Sequence, residues 1–282
     1  MTENKPHIAI AYDFDGTLAP GNMQEHSFIP ELGLDKSEFW AESDSIARDH
    51  DADQILTYMQ LMLEKAKGKG IPITRDALSE HGRKITFFKG VKTYFDRINA
   101  FAEAQGVFIE HYIISSGVRE IIQGTSIAGY FKYIFASGFI FDKDRVAIWP
   151  ALAINYTNKT QYLFRINKGI INSYDNSQIN KFIPYEQRPI PFSRMIYVGD
   201  GETDVPAMKM IKYQGGKAIA VYDPGREKEQ GQPSGKLLCE KLIEQHRADY
   251  MAAADYSENA KLDRILKSLI QIMAKTAYLQ NL

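Results

Sequence analysis

Apolar residues recur along this chain in two rhythms. Residues 8–12, Ile-Ala-Ile-Ala-Tyr, are an unbroken apolar run that stops at Asp13-Phe-Asp-Gly-Thr17. That is the pattern of a parallel strand buried on both faces, with acidic residues at its carboxyl end. From residue 19 to 88 the rhythm becomes helical. Asp35 and Glu38 lead into Phe39-Trp40 as a helix start, Ile55, Met59, Met62 and Leu63 mark one face of a helix ending near Gly68, and Thr74 suits the cap of another. No strand signal interrupts this stretch, so it reads as a helical insert. Thereafter strand and helix signals alternate, which predicts a parallel sheet. We expect a helix over 91–105 closed by Gly106, a strand over 108–114, a helix over 118–122 and a strand over 133–136. A hairpin over 139–148 turns at 142–144. A helix over 160–167 ends at Gly169, and 170–192, with Pro184, Pro189 and Pro191, is an irregular surface excursion. The pattern closes with a strand over 195–198, a helix over 204–212 with Pro206 in its first turn, a strand over 218–222 and a helix from 259 to about 274.

Composition narrows the classes. Of 282 residues, 44% are hydrophobic and 24% charged, as in an ordinary folded protein. Lys plus Arg (34) nearly balance Asp plus Glu (35), so no overall positive field draws the chain to nucleic acid or an anionic membrane. A small anionic substrate needs a local pocket. Cys239 is the single cysteine and sits in an apolar helical stretch; it cannot form an internal disulfide. No run reaches the roughly 18 apolar residues of a spanning helix, and the first residues lack the apolar core of a signal peptide. We therefore expect a cytoplasmic protein with neither nucleic acid nor membrane as a partner.

Candidate chemistry collects at the predicted strand ends. Asp13 and Asp15 face one side if the strand persists, whereas a curl at Gly16 turns the Asp15 carbonyl, instead of its side chain, toward whatever Asp13 faces. A second acidic cluster, Gly199-Asp-Gly-Glu-Thr-Asp204, again follows an apolar strand and precedes a helix. Parallel topology brings such ends together, and gathered carboxylates suit a hard cation, Mg²⁺ above all beside phosphate. Ser115-Ser116-Gly117 ends a third strand, opens the next helix and offers hydroxyls and amides to phosphate oxygens. Lys159 stands at a helix start, where a cation is unfavourable unless an anion accompanies it; Lys168 stands at the helix end, where lysine is at home.

In order, Asp13-Phe-Asp-Gly-Thr-Leu18, Ile114-Ser-Ser-Gly117, Lys159 and Gly199-Asp-Gly-Glu-Thr-Asp204 resemble the four motifs of the haloacid dehalogenase (HAD) superfamily, and with the helical insert they resemble its phosphoserine phosphatase-like branch. The resemblance implies a Rossmann-like parallel sheet core with helices on both faces, formed by 1–18 and 89–282, and an inserted α-helical C1-type cap over 19–88. It implies a Mg²⁺-dependent phosphomonoesterase acting on a small phosphorylated metabolite. Asp13 is then the nucleophile and Asp15 the general acid and base; the Asp13 carboxylate, the Asp15 carbonyl and Asp200 hold the metal. Ser115 and Gly117, with Ser116 as alternative to Ser115, and Lys159, with Lys168 as alternative, hold the phosphoryl group. Thr17 and Asp204 support these residues from behind. The alternatives are a 5′-nucleotidase, a phosphoserine phosphatase, or a non-catalytic phosphate-binding protein on the same fold. In the insert, Glu25, His26, Trp40, Arg48 and Tyr58 are candidates to read the leaving group. The stretch where phosphoserine phosphatases carry a carboxylate-gripping arginine here reads Leu56-Thr-Tyr-Met-Gln60, with Arg48 as the substitute.

Overall fold

The computed structural model describes residues 5–225 and 235–280. A seven-stranded sheet of order β4-β3-β2-β1-β5-β6-β7 forms its centre, built from β1 (His7–Tyr12), β2 (Phe108–Val118), β3 (Phe131–Phe141), β4 (Ala147–Leu152), β5 (Met195–Gly199), β6 (Lys217–Tyr222) and β7 (Tyr250–Ala253). All pairings are parallel except β3 with β4, the expected hairpin, whose turn is held by Asp142 Oδ1 accepting from the amides of Asp144 and Val146, each at 2.9 Å. This is an α/β, Rossmann-like architecture.

Both faces of the sheet are covered, which is why β1 reads as a continuous apolar run. Ile8, Ile10 and Tyr12 join the core under α6 (Val91–Ala104), α7 (Arg119–Gln123) and α11 (Lys261–Gln280). Ala9 and Ala11 face the other core, under α8 (Lys159–Lys168), α9 (Val205–Tyr213) and α10 (Gly235–Glu244). Cys239 lies buried in α10, and burial pushes its thiol up to about 12. Two elements escaped the sequence pattern, α10 as a bounded helix and β7. The latter is a four-residue edge strand, too short to show a period.

Between β1 and α6 the chain forms α1 (Met23–His26), α2 (Phe28–Glu31), α3 (Lys36–Asp49), α4 (Gln54–Gly68) and α5 (Arg75–Arg83). Asp35 caps α3 by accepting from the amides of Ser37 (2.8 Å) and Glu38 (3.1 Å), and Thr74 caps α5 through the amide of Ala77 (3.1 Å). The helix expected over 118–122 is α7 and begins one residue later, so Ser115-Ser116-Gly117 lie in the end of β2 and do not open a helix. The excursion 170–192 is irregular but anchored. The buried Arg165 donates to the carbonyls of Asn172 (2.7 Å), Ser173 (3.1 Å) and Asp175 (2.9 Å) and to Asn176 Oδ1 (2.8 Å).

Candidate active site

β1 is the point where the order of strands reverses, with β2 on one side and β5 on the other, so a crevice opens above its carboxyl end. The Asp13 amide continues the ladder by donating to the Val198 carbonyl of β5 at 2.9 Å, which sets its side chain at that crevice. Gly16 then turns the chain at φ +70°, a left-handed conformation that glycine adopts without penalty. It also leaves room. A Cβ at Gly16 would lie 2.0 Å from Asp200 Oδ2, so the loop after β1 and the Asp200 carboxylate meet only because no side chain intervenes.

Asp13, 6% exposed, pairs with Lys159 Nζ at 2.8 Å, and the same ammonium reaches Asp204 Oδ1 at 2.7 Å. Lys159 is 1% exposed at the first position of α8; two carboxylates explain a buried cation at a helix start. Burial alone would lower its pKa, but Asp13 and Asp204 outweigh that and hold it raised. Asp204 is fully committed. Its Oδ1 also accepts from Tyr197 Oη at 2.6 Å, and its Oδ2 from the Asp200 amide at 3.1 Å. Lys168 is elsewhere, donating to the carbonyls of Ile179 and Lys181 and so pinning the 170–192 excursion; of the two lysines it is Lys159 that the fold brings to Asp13 and Asp204.

Asp15 reaches the other way. Its Oδ1 accepts from the Met23 amide of α1 at 2.9 Å. Burial, then the charges of Asp13 and Asp200, raise its carboxyl well above the ordinary range. Burial raises Asp200 as well, followed by Asp204 and Asp13. Asp13 rises to about 6, with burial the main cause and Lys159 the chief opposing influence. Oxygens of Asp13, Asp200 and Asp204 lie within 4.8 Å of one another, and such a set of hard oxygen donors can hold a metal ion.

Ser115, Ser116 and Gly117 border the same crevice. Ser115 Oγ accepts from the Gly117 amide at 3.0 Å, while Ser116 Oγ is buried with no partner among the described residues. A Cβ on Gly117 would lie 1.9 Å from Met23 Cε and 3.2 Å from Asp15 Oδ2, so glycine here makes room for the insert. Thr17 is buried and off the crevice, its carbonyl accepting from Tyr256 Oη at 2.9 Å.

The crevice is a cavity of about 720 Å³, floored by Asp13, Asp15 and Asp200 and walled by the insert. Glu25, Trp40 and Tyr58 line it; His26 and Arg48 do not. The His26 Nε2–H donates to the Pro20 carbonyl at 2.8 Å and its Nδ1 accepts from the Thr86 amide at 3.4 Å, so this histidine ties together the two connections of the insert. Arg48 is exposed on α3. Residues the sequence reasoning passed over are Tyr197, hidden in an apolar strand, and Gln24, Lys36, Asp44 and Tyr156, which line the cavity without any motif to mark them.

Residues 10–209 match the haloacid dehalogenase-like hydrolase family, and the chain belongs to it. An uncharacterized protein of Borreliella burgdorferi is 30% identical over 289 residues, covering 93% of this chain and 96% of its own. Among solved structures, a HAD-family hydrolase from Salmonella enterica serovar Typhi is similar at a TM-score of 0.57 with 18% identity, over 95% of this chain and 73% of that one. A phosphoserine phosphatase carrying a phospho-aspartyl intermediate analogue is similar at 0.53 with 17% identity, over 94% and 99%. At such identities the two solved structures establish the shared fold. Among the described residues, no helix is long and apolar enough to cross a membrane.

Proposed function

We propose that this hydrolase is a Mg²⁺-dependent phosphomonoesterase that cleaves a small phosphorylated metabolite through an aspartyl-phosphate intermediate. The observation that carries the reading is the division of labour among buried acids. Asp13 pairs directly with Lys159 at 2.8 Å, which favours its carboxylate form, whereas Asp15 makes no ion pair among the described residues and burial raises its pKa well above the ordinary range. One is a nucleophile and the other a proton donor. Such a pair has no use in a protein that only binds phosphate.

In this reading an Asp13 carboxylate oxygen attacks phosphorus, the ester P–O bond breaks, and Asp15 protonates the departing oxygen. Asp15, now ionised, takes a proton from the water that attacks phosphorus in the second displacement and releases Asp13. Ser115, its Oγ oriented by the Gly117 amide, and the Lys159 ammonium stabilise the equatorial phosphoryl oxygens. Asp204 and Tyr197 keep Lys159 in place. The Asp13 and Asp200 carboxylates and the Asp15 carbonyl would hold Mg²⁺, with Asp204, bonded to Lys159, Tyr197 and the Asp200 amide, supporting them from behind. Bound there, Mg²⁺ supplies charge neutralisation for the phosphoryl group. Residues 19–88 form the cap and 1–18 with 89–282 the core.

Hydrolysis of p-nitrophenyl phosphate, with Mg²⁺ and with chelator, tests the reading. The expected result is Mg²⁺-dependent turnover that Asp13→Asn abolishes while the variant keeps its fold by circular dichroism. Activity of that variant within tenfold of the unmodified protein would falsify the nucleophile assignment.

A further inference from the structure

The wall of the cavity contains information that the floor does not. Among the described residues its charged groups are Glu25, Asp44 and one cation, Lys36, with no arginine. Lys36 approaches Glu25 at 3.7 Å, but its side chain is 63% exposed against 19% for Glu25, so the carboxylate belongs to the cavity and the ammonium to solvent. The wall is thus acidic on balance. A leaving group with a carboxylate or a second phosphate would meet two negative groups and one weakly held, well-hydrated lysine.

The aromatic residues are equally specific. The Trp40 indole N–H donates to Glu25 Oε1 at 2.9 Å, which fixes the ring against the carboxylate. Tyr58 stands at 69° to it with centroids 5.7 Å apart, and its hydroxyl is committed to the Ser116 carbonyl at 2.7 Å. Rings in edge contact leave no parallel slot between them for a nucleobase, and a committed hydroxyl offers no donor to an anion. The carboxylate lies at the edge of the indole, where its Oε1 also accepts from the Asn22 side-chain amide at 2.7 Å; a ring face with a carboxylate at its edge attracts a cation, and desolvation strengthens that attraction.

We infer that the leaving group is an amino alcohol, whose ammonium, primary or quaternary, lies against Trp40 with Glu25 as its counter-charge. This rests on the phosphomonoesterase reading and names its substrate class. The chemistry is unchanged: the bond from phosphorus to the ester oxygen breaks as that to Asp13 forms, Asp15 protonates the ester oxygen, and the alcohol departs with its ammonium intact.

The test compares choline phosphate with 3,3-dimethylbutyl phosphate, the uncharged ester of the same shape, alongside p-nitrophenyl phosphate. We expect kcat/KM at least tenfold higher for the cationic ester, a ratio that falls to below about threefold in Glu25→Gln and in Trp40→Leu and is partly kept in Trp40→Phe, which retains a ring face. Using the ratio removes general losses of activity in the variants. If p-nitrophenyl phosphate is cleaved but the ratio is near one, or a nucleotide or sugar phosphate is preferred tenfold over choline phosphate, this inference is overturned and the phosphomonoesterase reading stands. If p-nitrophenyl phosphate is not cleaved at all, that reading fails and this one with it.

Discussion

Asp13, Asp200, Asp204 and Lys159 stand at the ends of β1 and β5 and at the start of α8, elements hydrogen-bonded into one sheet or packed upon it; Lys159 joins Asp13 and Asp204 at 2.8 and 2.7 Å, and the Asp200 amide donates to Asp204 at 3.1 Å. Glu25, Trp40 and Tyr58 come from three helices of the insert; Glu25 and Trp40 bond to each other, and polar ties to the core run from the Met23 amide to Asp15 at 2.9 Å, from the Tyr58 hydroxyl to the Ser116 carbonyl and from the Asn155 side-chain amide to Asp53 at 2.8 Å. The floor is therefore held by strongly coupled buried charges and the wall by separable contacts. A firmly held centre under a separable cover suits the two displacements proposed above, since water must be excluded first and admitted later. The insert is not uniform either. α5 lies backbone to backbone on α7, where a Cβ at Gly82 would come 2.0 Å from the Ile121 carbonyl, and Ala147 donates to the Ile73 carbonyl at 2.8 Å. α3, by contrast, packs chiefly on α4, within the insert.

Breaking the floor should have the largest effect. Lys159→Met leaves the Asp13 and Asp204 carboxylates buried without their cation, which costs about 3–5 kcal/mol of stability, and turnover should fall about 10²–10³-fold. Lys168→Met, which touches only the excursion, should leave turnover within about threefold. Denaturant titration and steady-state kinetics on both variants check the contrast.

Next comes Asp200→Asn. In the unmodified protein, saturating Mg²⁺ at about 100 Kd should stabilise the fold by about 2.7 kcal/mol, and the variant should lose most of that shift. The metal-free protein adds a pH signature. Asp13 rises from 3.8 to about 6 on folding, so the folded state holds its proton more tightly than the unfolded chain. That stabilisation is complete below the unfolded value and is lost as pH rises through about 6, so metal-free Tm should decline across this window. Asp200→Asn, by removing a second buried carboxyl whose pKa is also raised on folding, should make the decline shallower in thermal melts.

The wall responds less. Gly82→Ala forces α5 away from α7 and should cost about 1–3 kcal/mol by calorimetry, with kcat changed less than stability. Tyr58→Phe removes one hydrogen bond between insert and core, worth about 1 kcal/mol, and should change kcat/KM about fivefold at most. If Tyr58→Phe matched Lys159→Met in its effect on turnover, the distinction between floor and wall would collapse.

The chain's local signals were sufficient for the parts whose cause is local. An apolar run ending in Asp13, a glycine at position 16, the caps Asp35 and Thr74, and an isolated cation at the start of α8 each have a physical explanation within a few residues, and the sheet, the insert and the floor were legible from them. What was not legible depends on residues far apart in the chain. The choice between Lys159 and Lys168 was decided by which lysine the packing of α8 turns toward Asp13 and Asp204. Tyr197 looks like any apolar strand residue until Asp204 accepts its hydroxyl. His26 and Arg48 seemed equal to Glu25 and Trp40 in sequence, yet helix orientation sent one to the connections, one to solvent and two to the cavity. The acids at the strand ends are legible because strand ends and turns constrain them locally; the wall of the cavity is a property of how α1, α3 and α4 pack over a sheet whose strands lie many residues away, and only the tertiary structure decides which side chains line it.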